Sequence, residues 1–289
     1  MTVYLRKESS VNAIEKISVR TTLIDIQIIQ TEKAELRAEL CGNGWDEAEV
    51  EQLELTISHQ ENQLIVEARR KTAFHFSLRL LLNGERSLSL FLYIPSQVYS
   101  ELLASSQSGD LEIRQLLARH FEFSSRSGNL TVEDCVAKDS LSADTSSGDI
   151  MLTRILAQGR VSAQASSGDV VLKNLQAETI LLRTHSGDIH VSNYRGHLQA
   201  VASSGDVVLE NDQLSGNLSA QASSGDVTVI FNEAPDNYSI DYKGSSGDGH
   251  VNMKGLTYEE KSEHRIIGQK GVPQYQIDVR TSSGDFMMS

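Results

Sequence analysis

Aspartate recurs at one fixed place in a tripeptide, Ser-Gly-Asp, that occurs nine times along the chain with one Asn variant. A column of carboxylates could bind cations, or each carboxylate could accept a backbone amide hydrogen bond and hold a turn. Unpartnered carboxylates about 4.8 Å apart would repel by roughly 0.9 kcal/mol per neighbour in water. Calcium needs several oxygen ligands per ion, and the glycine-rich calcium-binding nonapeptide is absent, so turn capping is the favoured prediction. A cation column would consist of Asp149, Asp169, Asp188, Asp206 and Asp226.

The other reactive residue types form no catalytic pattern. No Gly-x-Ser-x-Gly elbow occurs, and Ser-Gly-Asp has no companion base in register. His190 and His250 share one outward column but are three repeats apart, about 14 Å by strand spacing, which is too far for one metal ion. A carbohydrate-cleaving β-helix would need a concentrated acid pair on one outward face, and none is seen. We predict no catalytic residues, no metal and no cofactor, with a carbohydrate-active β-helix enzyme as the alternative.

Composition and charge exclude several classes of protein. Of the 289 residues 39% are hydrophobic, which is enough for a packed core. The net charge of −13 argues against a nucleic-acid partner, because phosphate binding needs clustered Lys and Arg. No apolar run could span a membrane, and the first ten residues lack the apolar stretch of a signal peptide, which predicts the cytoplasm. Cys41 and Cys135 match no metal or redox spacing and are expected to be reduced.

The repeat itself predicts the elements that hold these residues. Steps between successive glycines are 19, 20, 20, 19, 18, 20, 22 and 37 residues. Apolar residues recur two and four places after each glycine and five and seven places before it, which is the alternation of strands with one buried face. One coil of about 20 residues cannot bury its own interior, but coils stacked in parallel register can. The sequence therefore predicts an all-β fold, namely a parallel β-solenoid (β-helix), right-handed by the usual rule, with about nine to ten coils.

Each glycine of the tripeptide is predicted to mark a corner between two strands. The buried positions are odd offsets before the glycine and even offsets after it, which one continuous strand cannot provide. We expect these glycines to supply a positive φ or a close approach of backbones. The corner glycines are Gly109, Gly128, Gly148, Gly168, Gly187, Gly205, Gly225, Gly247 and Gly284. A further apolar column seven places on, which includes Cys135 as a core residue, predicts a second corner.

The first hundred residues lack the tripeptide, and residues 1–100 are predicted to form a mainly antiparallel sheet that covers one end of the solenoid of residues 101–289. A hairpin turn is expected at 61–63, and Asp46 with Glu49 could cap a short helix. The predicted strands are 35–40, 53–58, 64–68, 74–82 and 87–94.

Two further segments depart from the regular repeat. Residues 17–28 match the apolar columns of 277–288 and place Asp25 on a corner, so they are predicted to form a degenerate coil paired in parallel with the strands around 102–104 or 111–113. Residues 254–275 are predicted to be an inserted hairpin or flap, which leaves 276–289 as the last coil of the stack.

The repeated Thr/Ala-Ser-Ser-Gly-Asp-hydrophobic-x-hydrophobic segment, seen at 145–152, 165–172, 222–229 and 281–288, resembles the bacterial putative-adhesin family of domains of unknown function. The N-terminal strands that lead into Leu92-Tyr93-Ile94-Pro95 and then into the first repeat also resemble that family. The resemblance implies a β-helical, surface-adhesin-like protein with a cell-surface location, and some relatives are linked to cell-envelope stress. We predict a non-catalytic binding or scaffold module for an unknown protein or envelope component. A structural protein that self-associates through its C-terminal coil is a further alternative.

Overall fold

Parallel pairing between successive repeats organises the chain in the computed structural model, which describes residues 1–71 and 87–289. These residues contain one helix, α1 (Glu47–Val50), and 25 strands that belong to one hydrogen-bonded network, so the all-β prediction is confirmed. No helix in the described part of the chain has the length and apolar character needed to cross a membrane. The strands are β1 (Thr2–Ser10), β2 (Lys16–Thr21), β3 (Asp25–Thr31), β4 (Glu35–Asn43), β5 (Leu53–Gln60), β6 (Gln63–Arg70), β7 (Ser87–Pro95), β8 (Tyr99–Ser106), β9 (Leu111–Arg114), β10 (Leu117–Ser125), β11 (Leu130–Glu133), β12 (Val136–Thr145), β13 (Ile150–Ala157), β14 (Arg160–Ala165), β15 (Val170–Thr184), β16 (Ile189–Ala202), β17 (Val207–Asn211), β18 (Leu218–Ala222), β19 (Val227–Phe231), β20 (Tyr238–Lys243), β21 (Gly249–Val251), β22 (Thr257–Lys261), β23 (Arg265–Lys270), β24 (Tyr275–Thr281) and β25 (Phe286–Met288).

Strands that precede the corners form one parallel ladder, and strands that follow them form another. In the first ladder β8, β10, β12 and β14 are successive neighbours; in the second, β9, β11, β13 and β15 are. The register joins equivalent columns, so that Phe121 lies beside Leu102 on one side and Leu141 on the other. The inward columns are buried, with Leu130 and Ile150 fully enclosed, which confirms the predicted alternation.

Residues 16–31 form a coil inside the stack. Strand β2 pairs in parallel with β8, with Ile17 beside Leu102, and β3 pairs in parallel with β9, with Ile26 beside Leu111. The pairing predicted for residues 17–28 is therefore confirmed. On the opposite edge, β2 pairs in parallel with β6 and β3 with β7. The coil of residues 16–31 thus has neighbours on both sides.

The end of the stack near the N-terminus is covered by antiparallel strands. Strand β5 packs antiparallel on β6 through the predicted turn, where Glu61 has a φ of 53°. Strand β4 is antiparallel to β7, and β1 is antiparallel to β4. The predicted antiparallel pairing is found for β1, β4 and β5. Strands β6 and β7 have an antiparallel neighbour on one edge, but on the other edge they pair in parallel with β2 and β3 and so continue the parallel ladders. The predicted capping box of α1 is present, but the strand predicted at 74–82 lies outside the described residues.

The coil of residues 276–289 is not the last of the stack, contrary to the sequence prediction. Strand β24 pairs with both β18 and β20, and β25 pairs with both β19 and β21. The C-terminal coil is therefore inserted between the coils of Gly225 and Gly247, and both edges of β25 are hydrogen-bonded. The predicted hairpin of residues 254–275 is present as β22 and β23, and β23 adds antiparallel to β20 beyond the C-terminal coil. A charged hairpin thereby covers an edge that would otherwise be open.

Candidate functional site

The corner aspartates form a continuous ladder of hydrogen bonds with the backbone. Every corner side chain except that of Asp248 accepts the amide N–H of the equivalent residue in the next coil, as Asp149 Oδ1 does from Asp169 at 2.9 Å and Asp169 Oδ1 from Asp188 at 2.8 Å. Asn129 takes part through its own Oδ1, which accepts the Asp149 amide at 2.9 Å. The carboxylates do accept backbone amides, but from the neighbouring coil and not from their own turn, and Asp188, Asp206 and Asp226 of the candidate cation column are bonded in the same way. That this column binds no cation stays a prediction.

The same ladder includes the degenerate coil and the inserted C-terminal coil. Asp25 Oδ1 accepts the Asp110 amide at 3.0 Å, as its predicted corner position requires. Partial burial raises the pKa of Asp25, although the amide hydrogen bond opposes this effect. At the other end Asp226 Oδ1 accepts from Asp285, and Asp285 Oδ1 accepts from Asp248, both at 2.8 Å. The ladder therefore follows the spatial order of the coils and not their order in sequence.

Close contact between coils, not a left-handed backbone, explains the corner glycines. None of the nine has a positive φ, so of the two predicted alternatives the close approach of backbones is the one confirmed. A Cβ on Gly168 would lie 2.0 Å from the carbonyl oxygen of Gly148, and one on Gly247 would lie 1.9 Å from that of Gly284. These distances are far below any allowed contact, and the atoms concerned are backbone. The corners can stack at strand spacing only because glycine has no side chain.

The second corner is where the left-handed residues are found. Positive φ values between 52° and 57° occur six places after the glycine in five successive coils, at Gln115, Asp134, Arg154, Asn174 and Asn193. Asn and Asp tolerate this conformation better than most residues, so their recurrence in this column was a readable signal that the sequence analysis missed. The next column is buried as predicted, and it includes Cys135. Burial raises the pKa of the Cys135 thiol to about 12, so this cysteine is a core residue.

Beyond the second corner, a short third ladder ends abruptly and leaves a groove. Leu175 lies beside Tyr194, and Gln176 beside Arg195, but residues 212–217 of the next coil form no strand. Asn211 terminates this ladder, because its Oδ1 accepts the Tyr194 N–H and its Nδ2 donates to the Tyr194 carbonyl, both at 3.0 Å. A buried side-chain amide thus replaces the missing strand. The loop after Asn211 stands beside the ladder and forms one side of the groove.

The groove has a volume of about 920 Å³, and most of the side chains along it are polar. Exposed amides from consecutive coils, Asn174 and Asn193, are hydrogen-bonded to each other at 3.2 Å. The exposed Arg195 guanidinium has no ion pair within residues 1–71 and 87–289, whereas Arg154 is paired with Glu133 and Asp134. The half-buried Tyr275 also lines the groove. The groove therefore offers exposed hydrogen-bond donors and acceptors, an aromatic ring, and the Arg195 cation, which has no ion pair among the described residues.

The two histidines of the outward column stay apart. The ladder from His190 runs through Val208, Thr228 and Met287 to His250. The insertion of the C-terminal coil puts the histidines four strand spacings apart, about 19 Å rather than the predicted 14 Å. They cannot share a metal ion.

Three solved structures resemble this chain at low identity. One is a putative cell adhesion protein from Clostridium sporogenes, with 12% identity, coverage of 98% of this chain and 97% of the other, and a TM-score of 0.30. A second is a putative adhesin from Bacteroides fragilis, with 14% identity, coverage of 99% and 96%, and a TM-score of 0.48. A third is described as a putative lipid binding protein from Parabacteroides distasonis, with 13% identity, coverage of 99% and 96%, and a TM-score of 0.51, which indicates a similar fold.

Comparison with curated proteins finds no match. One protein-family model matches the chain, and the match includes the stacked coils, the corner ladder and the groove. The matching family model covers residues 14–289. The chain therefore belongs to the Toastrack DUF4097 family, a family of domains of unknown function.

Proposed function

We propose that this chain is a right-handed parallel β-solenoid of about nine to ten coils that acts as a non-catalytic, adhesin-like binding module of the bacterial cell envelope. In this proposal the solenoid consists of residues 101–289 together with the coil of residues 16–31, and the other strands of residues 1–100 form its N-terminal β-sheet region. The observation that carries the proposal is the groove beside the second corner, which displays exposed polar groups from several consecutive coils. The partner is an extended, hydroxyl-rich polymer such as an envelope polysaccharide.

The geometry of the groove favours a repeating polymer. Equivalent side chains of neighbouring coils are one strand spacing apart, about 4.8 Å, so a chain laid across the coils meets similar groups at regular intervals. The exposed amides of Asn174 and Asn193 can both donate and accept hydrogen bonds, as sugar hydroxyls require. Arg195 adds a cation that would favour acidic sugars, and the Tyr275 ring offers an apolar face.

Binding without catalysis is favoured by how the carboxylates are engaged. The corner aspartates hold backbone amides, so their repetition is a property of the architecture. Of the carboxylates along the groove, Asp212 accepts a hydrogen bond from Asn232, and Glu233 accepts one from Gln213. Both carboxylates are exposed and hydrogen-bonded, unlike the buried, unpaired carboxyl that serves as a general acid.

Retention of the full-length protein on immobilised envelope polysaccharides, neutral and acidic, tests the proposal. We expect Arg195→Gln and Asn193→Ala each to weaken binding by at least about fivefold, the effect of roughly one lost hydrogen bond to a charged or polar group. Arg183→Gln is the matched control, because Arg183 is an exposed arginine of β15 outside the groove lining. Failure to retain any polysaccharide, or equal binding by all variants, would contradict the proposal. Shortening of the polymer would show an enzyme instead.

A further inference from the structure

The corner ladder ends at Asp248, and this end differs from the rest. The Asp248 amide donates to Asp285 Oδ1 at 2.8 Å, as in every other coil. The Asp248 carboxylate, however, accepts no amide from within residues 1–71 and 87–289, because no further coil follows the last corner in the stack. Of the corner carboxylates, it is the one that the architecture leaves without its usual partner.

The turn of the covering hairpin, between β22 and β23, brings two more metal-ligating side chains to this carboxylate. The turn is docked on the last corner by the backbone, with Gly249 N–H donating to Glu263 O at 2.6 Å and Gly244 N–H donating to His264 O at 2.9 Å. One ligand atom each from Asp248, Glu263 and His264 lies within 4.8 Å of the others. Ligand atoms held by one ion at 2.0–2.3 Å would be separated by no more than about 4.6 Å, so a small adjustment brings all three into one coordination sphere.

The imidazole of His264 lies against the last corner, with its Nδ1 3.9 Å from Asp248 Oδ1. Its Nδ1 lies 2.9 Å from the carbonyl oxygen of Gly247. A carbonyl oxygen only accepts, so Nδ1 carries the proton and the lone pair of the neutral ring is on Nε2. Metal-ligating histidines commonly donate their second ring N–H to a backbone carbonyl in this way. An ion at this corner would bind Nε2 after the exposed ring turns this nitrogen toward the carboxylates.

We propose that Asp248, Glu263 and His264 bind one divalent transition-metal cation, such as Zn²⁺, which fastens the β22–β23 hairpin to the last coil. Two carboxylates and one imidazole are a suitable three-residue set for this class of ion, with water in the remaining position. The imidazole selects against calcium, which takes oxygen ligands. The ion would also relieve the repulsion between Asp248 and Glu263 in a chain of net charge −13. This site is independent of the groove and of the proposed polysaccharide binding.

Titration calorimetry with Zn²⁺ on the chelator-treated full-length protein tests the site. We expect one ion per chain for the unmodified protein and a rise in melting temperature with Zn²⁺ but not with Ca²⁺. Substituting residues that merely orient metal ligands costs about 10–100-fold in affinity, so His264→Gln and Asp248→Asn should each weaken Zn²⁺ binding at least tenfold. Asp248→Asn leaves the folded ladder intact, because this side chain holds no amide; circular dichroism checks that both variants are folded.

His250→Gln is the matched control, because His250 is exposed on β21 of the same coil and outside the cluster. It should bind Zn²⁺ as the unmodified protein does. The proposal is overturned if the unmodified protein does not bind Zn²⁺ at micromolar concentration, if folded His264→Gln binds with unchanged affinity, or if His250→Gln loses as much affinity as His264→Gln.

Discussion

Replacing Gly168 with alanine is the most direct test of how the coils stack. The new Cβ would lie 2.0 Å from Gly148 O, 2.6 Å from Gly148 C and 3.1 Å from Asp149 Oδ1. Two of these atoms belong to the backbone of the neighbouring coil, so no side-chain rotation relieves the overlap. The two corners must separate by about 1 Å to restore even the shortest contact that real Cβ atoms show, 3.0 Å.

The cost of that separation follows from what the corner holds together. The hydrogen bond from Asp169 N–H to Asp149 Oδ1, 2.9 Å long, joins the same two coils beside the glycine. A hydrogen bond to a charged group contributes about 1.5–3 kcal/mol, and overpacking in a close-packed site costs about 1–3 kcal/mol. We therefore expect Gly168→Ala to lower the free energy of unfolding by about 3 kcal/mol or more. For a chain of this size the melting temperature should fall on the order of 5–10 °C.

Thermal and urea unfolding, each followed by circular dichroism, measure the effect. Ser167→Ala is the control at the neighbouring exposed corner position and should stay within about 0.5 kcal/mol of the unmodified protein. Gly168→Asn separates the two explanations of the glycine, because asparagine tolerates a positive φ but carries the same Cβ. Steric exclusion predicts that Asn is as harmful as Ala. A mild Asn variant, or an Ala variant equal to Ser167→Ala, would refute the reasoning.

Three other results are expected. Asp169→Asn should change stability by less than about 1 kcal/mol in urea unfolding, because Asn129 already performs the same capping role at 2.9 Å; a loss of 3 kcal/mol would mean that the negative charge is required, as a cation column would need. Hydrogen exchange of the Phe286 and Ser289 amides, which bond to opposite neighbouring coils at 2.8 and 3.1 Å, should be as slow as that of the core; rapid exchange would indicate a frayed terminal coil. Cys135, with a pKa raised to about 12 by burial, should not react with a thiol reagent at pH 8 until the protein is unfolded; prompt labelling of the native protein would contradict its place in the core.

Local patterns predicted most of the coil. Alternating apolar columns identified the strands and their inner faces, and the change of parity at each glycine identified the corner. The register of residues 17–28 could be predicted as well, because Asp25 and its flanking isoleucines repeat the same columns. The local pattern left open why the corner residue is glycine, since a positive φ and a close contact between backbones both require glycine. Only the carbonyl of the neighbouring coil distinguishes the two.

The sequence by itself determined the repeat, the buried columns and the residues that cap the corner. These features depend only on the residues of one coil and on the presence of some similar coil beside it. The sequence could not determine which coil is that neighbour, because every coil presents similar strand edges and the same tripeptide. The tertiary structure decided the order. The Tyr242 ring fills the space that a side chain at Gly249 would need, and it packs on Phe286 with ring centroids 4.9 Å apart. These contacts make the coil of Gly284 the neighbour of the coil of Gly247. That order in turn left Asp248 at the end of the ladder beside Glu263 and His264. The groove also depends on the tertiary structure, because it lies where the third ladder ends and the coil that follows Tyr194 has no strand at residues 212–217.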